Sequence, residues 1–469
     1  MQAKPTHSVH YFHPTILREY DIRGIVGETL FPEDAYVLGK AFGTYATQRS
    51  GNRICVGYDG RLTSPELAEN LIKGLIEVGC KVKNIGIGPT PHVYFGVKDR
   101  QFDAGIMITG SHNPSEYNGF KMTLQRAPVF GKDILEIAKI AQDNAFLSPG
   151  NEGEETQLDI KDTYVDRLLK DFTGQAPIKI AWDPGNGAAG EILRKLVAKL
   201  PGEHILINDE IDGTFPNHHP DPSVDENVAE LRQIVLDQKC DAGIAFDGDA
   251  DRIGVIDEKG TILRSDILMT IYARAVLEKH PNAPIIGDVK CSSLMFDDIT
   301  RMGGKAVMWK TGHSLIKSKM AELNAPLAGE LSGHIFFADT YYGFDDALYC
   351  AIRLMNEISK EGVSLSSLTE HLPNIESTPE IRIKVDESKK FDIVQQIQDK
   401  TLSSYGDHKE IDVNTIDGAR VNTPDGWWLL RASNTQNALV ARVESSSPQG
   451  LDRLKQMLNN ALSPFNLKV

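Results

Sequence analysis

The sequence is short of positive charge, of patterned cysteine and of long apolar runs, and each shortage removes a class of function. Fifty Lys and Arg stand against 65 Asp and Glu, a formal net charge of −15. So acidic a chain is poorly suited to non-specific binding of nucleic acid or of an anionic membrane, and an anionic ligand would need a locally basic pocket. No run reaches the length of a membrane span, and Met1 to Arg18 lacks a continuous apolar core of signal-peptide type. The five cysteines (Cys55, Cys80, Cys240, Cys291, Cys350) have no metal-ligand spacing, and most sit in or beside apolar segments. They read as reduced core residues of a cytoplasmic protein, with no protein partner evident. His7, His10 and His13 recur in a polar stretch with Pro5 and Pro14, which reads as a lead-in rather than a metal site.

What the chain does have is Asp247-Gly248-Asp249-Ala250-Asp251-Arg252, directly after the apolar run Ala242 to Phe246. Alternation projects the three carboxylates to one side of an extended backbone, and Gly248 and Ala250 add no bulk there. Three packed negative charges call for a hard cation such as Mg²⁺, which keeps positions open for a phosphate oxygen. An EF-hand loop is excluded, since its sixth position needs Gly and this loop has Arg252. The flanks also read as strands, Cys240 to Phe246 and Ile253 to Asp257, rather than helices.

The chain repeats itself. Phe102-Asp103-Ala104-Gly105-Ile106, continuing to Ser111, matches Cys240-Asp241-Ala242-Gly243-Ile244, continuing to Asp249, and Leu327 to Ser332 is a fainter third copy. Each copy has an earlier partner strand: Arg53 to Asp59, Ile178 to Asp183, Pro284 to Asp288. The helix after the first partner shows Ser64 as N-cap, Pro65, an apolar face of Leu67, Leu71, Ile72 and Leu75, and Gly79 as stop. This predicts three α/β domains with mixed, mostly parallel sheets, spanning 1–155, 156–260 and 261–373, with ligand loops at the carboxyl ends of the strands. From about Thr378 the pattern changes, predicting a small α+β domain over 374–469, with Trp427 and Trp428 in its sheet packing.

Four loops carry chemistry. Thr109-Gly110-Ser111-His112-Asn113-Pro114 lacks the G-x-S-x-G of a hydrolase elbow, yet it occupies the repeat position of the acidic loop and is followed by Lys121. Gly329-Glu330-Leu331-Ser332-Gly333-His334 falls in the third repeat copy and offers an acceptor in Glu330 and a donor-acceptor in Ser332. Arg431-Ala432-Ser433-Asn434-Thr435 pairs a guanidinium fork with small donors suited to a phosphate.

Together with Tyr20-Asp21-Ile22-Arg23-Gly24, these motifs stand in the order of the α-D-phosphohexomutase family, which the chain resembles over nearly its whole length. The resemblance implies a four-domain, heart-shaped fold and interconversion of hexose 6-phosphate and hexose 1-phosphate. By resemblance, Ser111 carries a phosphoryl group, and Asp247, Asp249 and Asp251 hold Mg²⁺ with a phosphoserine oxygen. Glu330 and Ser332 read the sugar, and Arg431, Ser433, Asn434 and Thr435 hold the non-reacting phosphate. Tyr20, His112, Lys290 and His334 face the substrate. Arg23, Lys121, His313 and His334 are all open as movers of the hydroxyl proton, and Arg252 is placed to orient the phosphoserine. A hexose 1,6-bisphosphate is the implied intermediate and activator. Glu330-Leu331-Ser332 resembles the phosphomannomutase/phosphoglucomutase branch, with a phosphoglucosamine mutase as runner-up and a Mg²⁺-dependent sugar phosphatase behind it.

Overall fold

The structure, a computed structural model, describes residues 9–125, 127–174, 176–360, 362–406, 408–434 and 436–469. His7 and Thr435 therefore lie outside the described residues. Among the described residues four sheets form, and the first three share one four-strand core. In the first its order is Lys81–Ile87, Arg53–Tyr58, Ala104–Ile108, Tyr117–Leu124. In the second it is Gly202–Leu206, Ile178–Asp183, Ala242–Phe246, Ile253–Asp257, and in the third Lys305–Trp309, Pro284–Asp288, Leu327–Gly329, Ile335–Phe337. In each core the first three strands run parallel and the fourth returns antiparallel to the third. The strands Ala104–Ile108 and Ala242–Phe246 are buried at every position. That is why they read as continuous apolar runs instead of alternating: helices cover both faces of the sheet.

Two boundaries differ from the sequence reading. The strand Glu154–Gln157 pairs with Lys81–Ile87 and so carries the first sheet beyond residue 155, while Ile262–Leu263 joins the second sheet beyond residue 260. Within the first unit, Ser64 is the first residue of the helix Ser64–Glu77 and Thr63 is the N-cap. The Ser64 hydroxyl instead donates to Asp59 Oδ1 at 2.6 Å. Leu67, Leu71, Ile72 and Leu75 do form the buried face, and Gly79 ends the segment at a φ of +86°.

The last unit is an antiparallel six-stranded sheet centred on Gly426–Ala432 and Ala438–Ser445, covered by the helices Lys390–Tyr405 and Pro448–Leu462. Trp428 packs in its core. Trp427 does not: with Leu429 it packs against Val289 of the third unit, and its indole donates to Glu444 Oε1 at 2.8 Å. Neighbouring strand residues face opposite sides, so one tryptophan serves the domain and the other the joint between domains.

This architecture places the site. Each of the four loops picked out by sequence is the connection between two antiparallel neighbours. All four converge on one cleft of about 690 Å³.

Candidate active site

At the floor of the cleft the first two units meet through their loops. Ser111 is buried, its backbone left-handed at φ +50°, and its Oγ donates to Asp247 Oδ2 at 3.0 Å. The His112 ring nitrogen Nδ1 lies 3.3 Å from the same Oγ. Asp247, Asp249 and Asp251 are fully buried, with one oxygen of each within 4.8 Å of the others. Asp247 Oδ1 accepts the backbone N–H groups of Asp251 and Arg252, each at 3.1 Å, which folds the acidic loop around its own carboxylate. Lys121, on the strand Tyr117–Leu124, donates to Asp249 Oδ2 at 2.7 Å and to Asp251 Oδ2 at 2.5 Å. Thr90, at the start of the helix Thr90–Asp99, donates its hydroxyl to Asp249 and its N–H to the Asp249 carbonyl.

The charged groups of this floor shift one another. Burial works against the Lys121 charge, but Asp249 and Asp251 outweigh it and hold the ammonium pKa above its ordinary value. Burial raises Asp249, and Lys121 more than reverses this, leaving that carboxyl below the usual range. Asp247 goes the other way: burial, then repulsion from Asp249 and Asp251, push it well above the ordinary carboxylate value. The cations Lys121 and Arg252 face the three buried acids, and Asp249 Oδ1 and Asp251 Oδ1 have no hydrogen-bond partner among the described residues. Oxygen-only donors of this kind fit a hard divalent cation.

Beside the acids lies an imidazole pair. His334 and His313 stack with ring centroids 5.4 Å apart. His334 Nε2 accepts from Arg252 Nε at 3.0 Å, while its Nδ1 lies 3.1 Å from Asp345 Oδ2. Arg252 also reaches Asp247 at 3.8 Å. Burial, then Lys317, holds the His313 pKa well below that of a free imidazole, and burial with Arg252 and Arg23 does the same for His112. Arg23 donates to the Gly110 carbonyl at 3.2 Å, to Asn113 Oδ1 at 2.6 Å and to Asp21.

Further lining of the cleft comes from the third and fourth units. Glu330 accepts from the Gly312 N–H and from Ser332 Oγ, and burial raises its pKa. Arg431 is buried, with Nε bound to Asp417 Oδ2 at 2.9 Å, and Asp417 also accepts from the Thr311 N–H at 3.0 Å. Ser433 Oγ accepts from the Gln436 N–H at 3.1 Å. Tyr20 donates to the Thr311 carbonyl at 2.7 Å and accepts from Asn434, tying the first, third and fourth units together. Lys290 donates to Glu380 Oε2 at 3.1 Å.

Every described site residue named from sequence therefore lines the cleft or lies under its floor. Sequence reading missed their supports: Asp59, Arg61, Thr90, Asp345, Asp417 and Glu380. Asp59 alone had a sequence cue, because it ends the first partner strand as Asp183 and Asp288 end the other two.

Comparison with known proteins agrees with this geometry. The chain matches the phosphoglucomutase/phosphomannomutase alpha/beta/alpha domains I, II and III over residues 14–148, 162–260 and 264–375, and the family's C-terminal domain over 380–461. A phosphomannomutase/phosphoglucomutase of Pseudomonas aeruginosa is 42% identical over 448 residues, 96% of this chain and 95% of the relative. A phosphoglucomutase of Neisseria gonorrhoeae is 41% identical over 441 residues, 94% of this chain and 95% of that protein. The crystal structure of a phosphoglucomutase/phosphomannomutase family protein from Burkholderia thailandensis has a TM-score of 0.89 at 39% identity, covering 96% of this chain and 98% of that one. The chain belongs to the α-D-phosphohexomutase family, and its activity is that family's reversible hexose-phosphate mutase reaction.

Proposed function

We propose that the protein interconverts the 6- and 1-phosphates of mannose, glucose or both through phosphorylated Ser111 and a hexose 1,6-bisphosphate. The observation that carries this reading is the placement of Ser111 Oγ against Asp247 in the one cleft that Arg431 and Ser433 also line. Phosphorylated Ser111 gives its phosphoryl group to the free hydroxyl of a bound hexose monophosphate, breaking the Oγ–P bond and forming the sugar O–P bond. The bisphosphate then turns end over end, and Ser111 Oγ takes back the other phosphoryl group.

Asp247, Asp249 and Asp251 would hold Mg²⁺, which would supply charge neutralisation for the phosphoserine and the transferring group. Arg252 orients the phosphoserine from beside that loop. Lys121 is held as a cation by two aspartates. Arg23, Lys121, His313 and His334 all line the cleft and are open as movers of the sugar hydroxyl proton. Glu330 and Ser332 hold sugar hydroxyls, with Tyr20, His112 and Lys290 facing the substrate. The Arg431 loop, including Ser433, Asn434 and Thr435, grips the far phosphate in both orientations, which requires a fourth domain that opens without releasing the intermediate.

The resemblance of the Glu330-Leu331-Ser332 and Arg431-Ala432-Ser433-Asn434-Thr435 runs to the phosphomannomutase/phosphoglucomutase branch supports mannose and glucose over glucosamine, and a loop holding hydroxyls away from C2 accepts both epimers. A coupled assay with glucose, mannose and glucosamine 1-phosphates side by side tests this. Turnover of the first two with little of the third is the expected result. Preference for glucosamine 1-phosphate would move the assignment to the runner-up, and release of free phosphate as the main product would move it to a phosphatase.

A further inference from the structure

Arg61 lies outside the residues that line the cleft, yet it makes a dense set of contacts to the serine loop. Its side chain is wholly buried in the turn between the strand Arg53–Tyr58 and the helix Ser64–Glu77. Nε donates to Asp59 Oδ2 at 3.1 Å. Nη1 donates to the carbonyls of Pro114 at 2.5 Å and Tyr117 at 3.0 Å, and Nη2 to those of Ser111 and Asn113, both at 2.7 Å. A guanidinium has five N–H groups, and all five are used, four of them on one turn of backbone.

Asp59 completes the grip. Its Oδ2 accepts the Gly110 N–H at 3.1 Å, and its Oδ1 accepts from the Arg61 N–H and the Ser64 hydroxyl. The loop is thus held by the N–H that precedes Ser111 and by the carbonyl of Ser111 itself. The guanidinium packs directly on this backbone, since a Cβ at Gly110 would stand 2.3 Å from Arg61 Cζ. From the second unit, Gly213 closes over the Arg61 backbone, where a Cβ would come within 2.5 Å of Arg61 Cα, and the Phe215 ring lies 5.1 Å from Cζ. Ser111 itself is left-handed at φ +50°, a conformation that costs a non-glycine residue energy and persists only where surrounding contacts determine it.

We infer that Arg61 is a positioning residue: by binding the carbonyls of the Ser111 to Tyr117 turn it fixes the serine backbone so that Oγ faces Asp247. The inference rests on Ser111 as the phosphoryl carrier. Substrate never meets Arg61, so its loss acts on the transfer step and leaves monophosphate binding alone. A lysine in its place keeps the charge but cannot span four carbonyls from a single nitrogen.

Arg61→Lys and Arg61→Ala, each assayed for kcat and KM with circular dichroism and thermal melting, test this. Arg61→Lys should lose roughly a hundredfold in kcat, the scale of an ångström's misplacement of a reacting group, with KM for hexose 1-phosphate unchanged within about twofold. Low millimolar guanidinium, but not methylammonium at the same concentration, should restore part of the lost kcat in Arg61→Ala by refilling the space. Phosphorylation of Ser111 by hexose 1,6-bisphosphate, followed by peptide mass mapping, should slow in parallel. Unchanged kcat, a matching rise in KM, or variants recovered unfolded and not restored by guanidinium would each overturn the inference. The parent reading is judged separately: an active Ser111→Ala enzyme sinks both, whereas an inactive one beside an unaffected Arg61→Lys sinks this inference alone.

Discussion

The serine end of the cleft is held by buried loops that bind one another directly across the first two units, while the Arg431 loop touches the other units by few side chains of its own and the fourth unit is joined to the third behind it. At the serine end, Lys121 bridges to two aspartates, Thr90 holds Asp249 twice, and Arg61 secures four carbonyls of the serine turn. At the other end Arg420 donates to the Val289 and Cys291 carbonyls and Arg442 to Asp266, while the phosphate loop itself reaches the other units through Asn434 to Tyr20 and through Arg431 and Asp417 to Thr311. The contrast follows from the task. Phosphoryl transfer is catalysed by positioning and fixed charge, which demands preorganisation, whereas the far phosphate must be released and regripped as the bisphosphate turns. Changes at the serine end should therefore lower kcat, and changes at the Arg431 end should raise KM and let the intermediate escape.

The largest effect should come from Ser111→Ala, which removes the transferring oxygen and should abolish essentially all turnover while the fold survives. Retained activity would break the comparison outright. Asp249→Asn comes next: it deletes a negative ligand at constant volume, and it also loosens Lys121, whose ammonium is held by that carboxylate. We expect kcat to fall by about two orders of magnitude with a shifted Mg²⁺ dependence, as fits a site that stabilises charge in transfer. Wild-type activity that persists after exhaustive chelation would contradict it.

Arg431→Ala sharpens the other half. Loss of a charge-assisted contact of about 1.5–3 kcal/mol should raise KM for both hexose 1-phosphate and hexose 6-phosphate about tenfold or more. Added glucose 1,6-bisphosphate should also stimulate the variant more than the wild type, because the intermediate escapes more often. An unchanged KM with a collapsed kcat would show that this end takes part in the chemistry after all.

Much of this was legible in the sequence because the informative residues sit in hairpin loops at strand ends, where position in a repeat fixes position in space. The three partner strands, the acidic loop and the Ser111 loop are of that kind. What stayed hidden is long-range pairing. Arg61 binds carbonyls about fifty positions away, and Asp345 meets His334 and Lys317 only once the third sheet has formed. Trp427 and Trp428 are adjacent and alike in sequence, but strand alternation sends one into the domain core and the other into the joint with the third unit.

The smallest expected effect lies away from both ends. His92 is fully buried between the first two units, 5.6 Å from the Tyr164 ring, and burial, then Lys161, lowers its pKa to about 3. The folded protein keeps this imidazole neutral while the unfolded chain takes up a proton near the ordinary value of about 6.5. Stability is therefore intact above that value and falls as pH drops from it toward about 3, by up to about 1.4 kcal/mol per unit from this group. His92→Leu should flatten the fall of melting temperature between neutral and mildly acidic pH without altering kcat. An unchanged slope would remove His92 as a source of acid sensitivity.

The most direct test of the central claim is peptide mass mapping of the wild-type protein after incubation with hexose 1,6-bisphosphate, followed by a chase with unlabelled hexose 1-phosphate. The account predicts phosphate on Ser111 that leaves on the chase and reappears as hexose bisphosphate. Phosphate on another residue, or none at any residue while isomerisation proceeds, would contradict it.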